Sequence, residues 1–380
     1  MPATSPPNAS TTHQTPNNEH ENNTIVSLRG PCLENTHFIH IAIVTPTGTP
    51  LYTTGTPNRT TLLRSALKPI QALAILSTGA STKYSLTDAD IALLCASHSS
   101  EPHHISRARS ILARTGVHES VLTCGGHAAI NPAVNREWVK CDFTPTGIHS
   151  NCSGKHAGMI AGALALGERA EGYQELEHPM QKRVGRLTEE MSACKPEEVA
   201  WAVDGCNLPA PALPLVGLAR MFAGLAGARD GIGEGAGEEG GDEMNGQLSR
   251  IFDAMATYPE LVGGQGRFCT EMMTAFRGLL VGKVGADGCY GIGIRASSLE
   301  NGHGHGHGAM GIAVKIEDGN LDILYAAIPE ILEQLGIGTP EMRRQLDGWR
   351  FPVMKNTAGV VIGRLEHRFK IRKVGESNDD

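Results

Sequence analysis

Serine, lysine, cysteine and histidine recur along this chain in short clusters, and these are the residue types that supply nucleophiles, bases and metal ligands. The first cluster is Ser65-Ala-Leu-Lys68. On a helix this spacing sets both side chains on one face, a turn apart. A neutral lysine amine beside a serine hydroxyl can act as its general base, and the helix start can help to stabilise an oxyanion. The second cluster, Cys95-Ala-Ser97-His98-Ser99-Ser100-Glu101-Pro102, gathers hydroxyls, a histidine and a carboxylate between two expected helices. The third, His149-Ser-Asn-Cys152-Ser-Gly-Lys155-His156, runs into a helix, and the fourth is Asp204-Gly-Cys206-Asn-Leu-Pro209. Thiolate and imidazole are natural zinc ligands. The fifth is Lys283-Val-Gly-Ala-Asp-Gly288.

Each cluster has a plainer explanation when taken alone. Ser65 and Lys68 can be a capped helix with a solvated lysine. Ser100 and Glu101 can be turn and capping residues ahead of a helix that Pro102 opens. Cys152 and Cys206 fit no standard zinc spacing, and a lone cysteine is ordinarily a small buried hydrophobe. Lys283 before glycines reads as the cap of a helix end.

The elements that must position these residues follow from periodicity and punctuation. Residues 38–54 read as a hairpin, with an isoleucine-rich run from Phe38 to Val44 and a PTGTP turn before Leu51. Ser65–Thr78 reads as a helix with Pro69 near its first turn, where the missing N–H costs least. Thr87–Cys95 reads as a second, with Thr87 as N-cap and Asp90 in the capping-box position. Further helices are expected over 102–115, 155–166, 178–193, 212–226, 246–257, 269–281 and 322–335. Strands are expected over 289–296, 309–316 and 358–372. The segment 227–246 is rich in Gly and Glu and reads as a mobile insertion. His303, His305 and His307 alternate with glycine. They read as a loose hairpin tip able to bind a metal adventitiously. The expected organisation is a disordered extension over 1–24, one domain over 25–373 and a flexible tail over 374–380.

Composition narrows the field. The 380 residues carry a formal net charge of −7, and 40% are hydrophobic. Such a balance gives no bulk attraction for nucleic acid or an anionic membrane. No stretch approaches the roughly 20 apolar residues that span a bilayer. The first residues have neither a basic start nor an apolar run, so no secretory signal is read there and a cytoplasmic location is expected. Nine cysteines, an odd number spread along a long chain, make a poor disulfide framework.

Taken in order, the clusters resemble the class 3, or rhizobial-type, L-asparaginases. The matching pieces are Arg64-Ser65-x-x-Lys68-Pro69, Ser97-His98-x-x-Glu101 and Cys152-Ser-Gly-Lys155-His156. They continue through Asp204-Gly-Cys206-x-x-Pro209, Lys283-x-Gly-Ala-Asp-Gly288 and Asn356-x-Ala-Gly359, spanning about residues 25–370. The resemblance implies an α/β (α+β) fold similar to the serine β-lactamases and glutaminases: an antiparallel β-sheet flanked by helices, plus a helical region. It also implies a homodimer acting on L-asparagine. Ser65 would be the nucleophile with Lys68 as its base, and Ser97 with Lys283 a second pair. Zinc would be bound by Cys152, Lys155 and Cys206. Arg64, His156, Asp204 and Cys269 would line the pocket, with Asp204 receiving the substrate ammonium or orienting His156.

The chemistry is coherent, because an amide is a poor electrophile and needs both an activated nucleophile and a stabilised oxyanion. Three rivals stand beside it. One is another serine–lysine amidohydrolase, such as a glutaminase or a β-lactamase-like hydrolase. The second is a non-catalytic, zinc-stabilised binding protein. The third is thiol chemistry at Cys152 or Cys206.

Overall fold

The computed structural model describes residues 23–228, 239–296 and 308–375. Twelve strands form among the described residues, the longer of them from runs rich in apolar and β-branched residues. They are β1 (Thr24–Arg29), β2 (Cys32–Val44), β3 (Pro50–Thr54), β4 (Thr60–Leu62), β5 (Ala200–Val203) and β6 (Pro209–Pro214). They continue with β7 (Leu280–Val284), β8 (Cys289–Ile294), β9 (Met310–Ile316), β10 (Met354–Lys355), β11 (Val361–His367) and β12 (Arg372–Lys373). The large sheet runs β10-β11-β1-β2-β9-β8-β7, with β3 bridging β2 and β12. A small sheet runs β4-β6-β5. Every described pairing is antiparallel.

Every residue of β7, β8 and β9 is buried, so both faces of this part of the sheet are covered. Helices Leu215–Gly227 and Leu321–Gln334 both pack on β9. Glycines permit the first to settle closely. A Cβ at Gly311 would stand 1.9 Å from the Ala219 carbonyl oxygen, and one at Gly291 would stand 2.1 Å from the Phe222 ring. A second body of helices, Lys68–Leu76, Asp88–Leu94, Pro102–Thr115, Ser153–Ala165 and Pro179–Ser192, packs beside the sheet. The architecture is therefore the expected one, an antiparallel sheet flanked by helices with a helical region.

The local expectations are met in several places. The hairpin β2–β3 forms with its bulge at the turn, between Ile43 and Val44. Thr87 and Asp90 close a reciprocal capping box. The helix starting at Pro102 ends at Thr115, with Gly116 in the left-handed conformation. Three expectations need correction. The helix read over 269–281 spans Phe268–Phe276, because Arg277 turns left-handed. Lys283 therefore lies inside strand β7 and not at a helix end. Helix Glu239–Thr257 begins well before residue 246, so part of the segment read as a loose insertion is helical. Strand β1 starts at Thr24, within the stretch read as disordered. The remaining expected extension over 1–22, the segment 229–238, the three His–Gly histidines and residues 376–380 lie outside the described residues.

Candidate active site

Three lysines, Lys68, Lys155 and Lys283, are each at most 2% exposed. Lysine is rarely so buried without a partner, and here the partners are serine, cysteine and backbone carbonyls. Ser97 sits on the buried loop 95–100, between helices Asp88–Leu94 and Pro102–Thr115. The loop is held on several sides. Ser97 N donates to the Val262 carbonyl at 3.0 Å, and His98 N to that of Asn151 at 3.1 Å. Ser99 Oγ donates to the Gly263 carbonyl at 3.0 Å, and Ser100 Oγ to that of His149 at 2.8 Å. Ser100 N donates to His98 Nδ1 at 3.1 Å, which leaves His98 Nε2–H to donate to Ser153 Oγ at 2.9 Å.

Two lysine amines converge on the hydroxyl of Ser97. Lys68 Nζ lies 3.0 Å from Ser97 Oγ and 3.2 Å from Cys152 Sγ, and it also donates to the Ala96 carbonyl. Lys283 Nζ lies 2.9 Å from Ser97 Oγ and donates to the Val284 carbonyl at 2.7 Å. Burial, then the charge of Lys68, pushes Lys283 down to about 7. Its neutral amine is thus available near neutrality as a proton acceptor. The expected pairing of Lys68 with Ser65 alone is not what the structure presents. Ser65 is half-buried, at a short 3-10 turn (Arg64–Leu67), and its hydroxyl makes no hydrogen bond among the described residues. The Lys68 amine reaches past it to Ser97. Gly285 brings this turn against the end of β7, since a Cβ there would stand 2.6 Å from the Leu63 carbonyl oxygen.

The sulfur side of the cluster begins where helix Ser153–Ala165 starts. Gly154 seats that start on the preceding helix, for a Cβ at 154 would stand 2.5 Å from Leu93 Cγ and 2.8 Å from its carbonyl oxygen. Cys206 arrives on the β5–β6 turn, which Asn207 closes at φ 69. Lys155 Nζ lies 3.2 Å from Cys206 Sγ. The Cys206 thiol donates to Cys152, and this, with the cations Lys68 and Lys155 acting against burial, holds Cys152 well below the ordinary thiol range. The same sharing raises Cys206. Burial opposes the charge on Lys155, but the two sulfurs outweigh it and keep the amine protonated. Two soft sulfur donors and an amine in mutual contact fit a zinc ion, which would take the place of the shared protons.

Asp204 opens the same turn. Its Oδ1 accepts from Arg64 Nε and from Gly205 N, both at 2.7 Å. Burial raises its pKa, but the Arg64 bond and the Lys155 charge leave the carboxyl below its usual range. Arg64 also reaches Asp287 Oδ2 at 2.5 Å, and it holds a left-handed backbone at φ 47 directly before Ser65. His156 is fully buried and pairs through Nδ1 with Tyr173 Oη at 2.6 Å. Burial keeps its imidazole neutral. Among the described contacts Asp204 pairs with Arg64, and the partner of His156 Nδ1 is Tyr173. Cys269, on helix Phe268–Phe276, receives the Tyr290 hydroxyl at 3.0 Å and lies close enough to influence Lys283.

Tyr173 and Asp287 were not singled out from sequence. Asp287 stood inside the fifth cluster, and a carboxylate between glycines there was its only signal. Tyr173 carries none. A cavity of about 680 Å³ lined by Ser100, Trp138, Arg136 and His149 borders the Ser97 loop but includes none of the lysines.

Amines, thiols and hydroxyls gathered this closely in an α/β fold are the equipment of a hydrolytic enzyme. The L-asparaginase II family profile matches residues 25–367, and the chain belongs to that family. No curated protein shows significant similarity to it.

Proposed function

We propose that this chain hydrolyses the side-chain amide of L-asparagine to L-aspartate and ammonia by serine–lysine catalysis. The observation that carries the reading is the convergence of Lys68 and Lys283 on Ser97, with Lys68 three residues along the chain from Ser65. Ser65, half-buried and without a hydrogen bond among the described residues, would be the nucleophile. Ser97, buried between two amines, is placed as the proton relay. Ser65 Oγ attacks the amide carbon as its proton goes to Lys68, which passes one on through Ser97 to the neutral Lys283 amine; the C–N bond breaks as the relay returns that proton to the amide nitrogen, which leaves as ammonia. Water then enters, gives its proton to the same relay and releases aspartate from the acyl-enzyme.

Cys152, Lys155 and Cys206 would hold a zinc ion, which would supply a Lewis acid for orienting the substrate. Arg64 and Asp204 border Ser65 and are suited to the carboxylate and ammonium of a free amino acid. The family relationship supports asparagine over other amides. The difference of one methylene from glutamine is worth only about 1–3 kcal/mol in a pocket. The resemblance to the class 3 enzymes implies a homodimer, which light scattering on the purified protein tests.

The test is ammonia release from L-asparagine and L-glutamine, with and without added zinc, by the parent, Ser65→Ala and Ser97→Ala proteins. Release from asparagine is expected, with no acyl-enzyme detected by mass spectrometry in Ser65→Ala. Ser97→Ala should lose about 10²–10⁴-fold in rate while still forming the adduct. An adduct that persists in Ser65→Ala but vanishes in Ser97→Ala would exchange the two roles. Full activity in the double variant, lost on thiol alkylation, would move the chemistry to Cys152. No release from zinc-loaded, folded protein would end the asparaginase reading.

A further inference from the structure

We infer that Glu101, His103 and His104 form a second site for a zinc-class divalent cation, separate from Cys152, Lys155 and Cys206. These residues open helix Pro102–Thr115, and one donor atom from each lies within 4.8 Å of the others. The inference does not depend on the proposed reaction.

The strongest observation is at His104. Its side chain is fully buried, and Nε2 lies 2.9 Å from the Glu260 carbonyl oxygen. A carbonyl only accepts, so Nε2 carries the proton and Nδ1 carries a lone pair. That Nδ1 has no hydrogen-bond partner although it is buried. An orphaned buried acceptor is costly. A histidine that donates one ring N–H to a backbone carbonyl and offers the other nitrogen is arranged as a metal ligand.

Glu101 is arranged to match. It stands at the N-cap position but does not cap the helix with its side chain. Oε1 instead accepts from Asn131 Nδ2 at 3.0 Å and Gln265 N at 3.1 Å. This anchors the carboxylate from two other loops. Oε2 faces His103 Nε2 at 3.7 Å, too long for a hydrogen bond and open to a shared ion. The His103 and His104 rings lie side by side, 4.0 Å between centroids. The side chain of His103 is 47% exposed, so an ion and its completing water can enter from solvent.

Two imidazoles and one carboxylate select zinc and its transition-metal neighbours over magnesium or calcium. The helix start opposes a cation, and the Glu101 charge offsets it. Behind the site the His104 ring stacks on His98 at 5.0 Å, one residue from Ser97. A bound ion would therefore brace the loop that carries the serine.

The test is zinc titration by calorimetry on the full chain, in a background with His303, His305 and His307 replaced by serine. Two equivalents per chain are expected for this parent and one for His103→Ala, with Glu101→Gln at least tenfold weaker at the second equivalent. His103 is half exposed, and the metal-free melting temperature checks that the variant is intact. Cobalt(II) distinguishes the two sites. The sulfur-to-metal charge-transfer band should survive in His103→Ala, while a second, sulfur-free spectrum disappears. A parent that shows no sulfur-free cobalt spectrum, or a His103→Ala variant that binds as many equivalents as the parent, overturns the inference.

Discussion

Lys283 cannot comfortably keep its proton beside Lys68 in a dry interior, and this has two measurable consequences. Its pKa near 7 should give kcat/KM for asparagine an acidic limb, with activity rising through about pH 7 as the amine is freed. A pH–rate profile flat from pH 6 to 8 would contradict that. Stability is linked in the same direction. Below pH 7 both folded and unfolded chains hold the proton, and folding bears the full cost of burying the charge. Between about 7 and the ordinary lysine value near 10.5 only the unfolded chain holds it, so stability rises with pH. Lys283→Met should therefore melt higher than the parent at pH 6.5, with the gain fading toward pH 10, as calorimetric scans at several pH values can check. At this scale the residue types were legible but not their partners. Ser65-x-x-Lys68 suggested a local pair, whereas the Lys68 amine serves Ser97, 29 positions away. Spacing encodes which residues share a helix face. It does not encode which distant loop will pack across that face.

Among the elements, helix Ser153–Ala165 carries Lys155 and has Cys152 at its N-cap, beside the lysine–serine cluster. Gly154 makes this possible, and a methyl there would have to push against the backbone of Leu93. Gly154→Ala should cost about 1–3 kcal/mol as an overpacked contact and weaken zinc binding. Unchanged zinc affinity would show that the helix start does not position Cys152 and Lys155. Thr87→Ala, remote from the site, should cost about 1 kcal/mol through its lost cap and leave zinc affinity and activity alone. Caps and glycine stops were readable because they act within a few residues, as at Thr87 and Gly116. Strand β7 was not, because an apolar run following a helix reads as its continuation, and only the left-handed Arg277 breaks it. The β5–β6 hairpin was also missed. Pro209 and Pro211 hide strand character in a sequence, yet both are accommodated beside β5.

Across the molecule, the antiparallel sheet with flanking helices was implied by the family resemblance, while periodicity marked only where single elements fall. The strand order could not be read from periodicity, since it depends on pairings between distant segments. Strand β1 lies inside the sheet, between β2 and β11, with Ile25 opposite His367 and Arg29 opposite Gly363. Removing residues 354–380 should therefore expose an edge of β1, lower the melting temperature and promote aggregation. A truncated chain that stayed monomeric and melted like the parent would refute this. The same pairing has a consequence in time. On the ribosome the strand that emerges first among those described waits for one made more than 330 residues later, and no local contact can stand in for it. Pairings of such separation are slow to form. The β1–β11 side of the sheet should mature only after synthesis of the chain is nearly finished, whereas β7 and its lysine at the far end need nothing beyond Ile316.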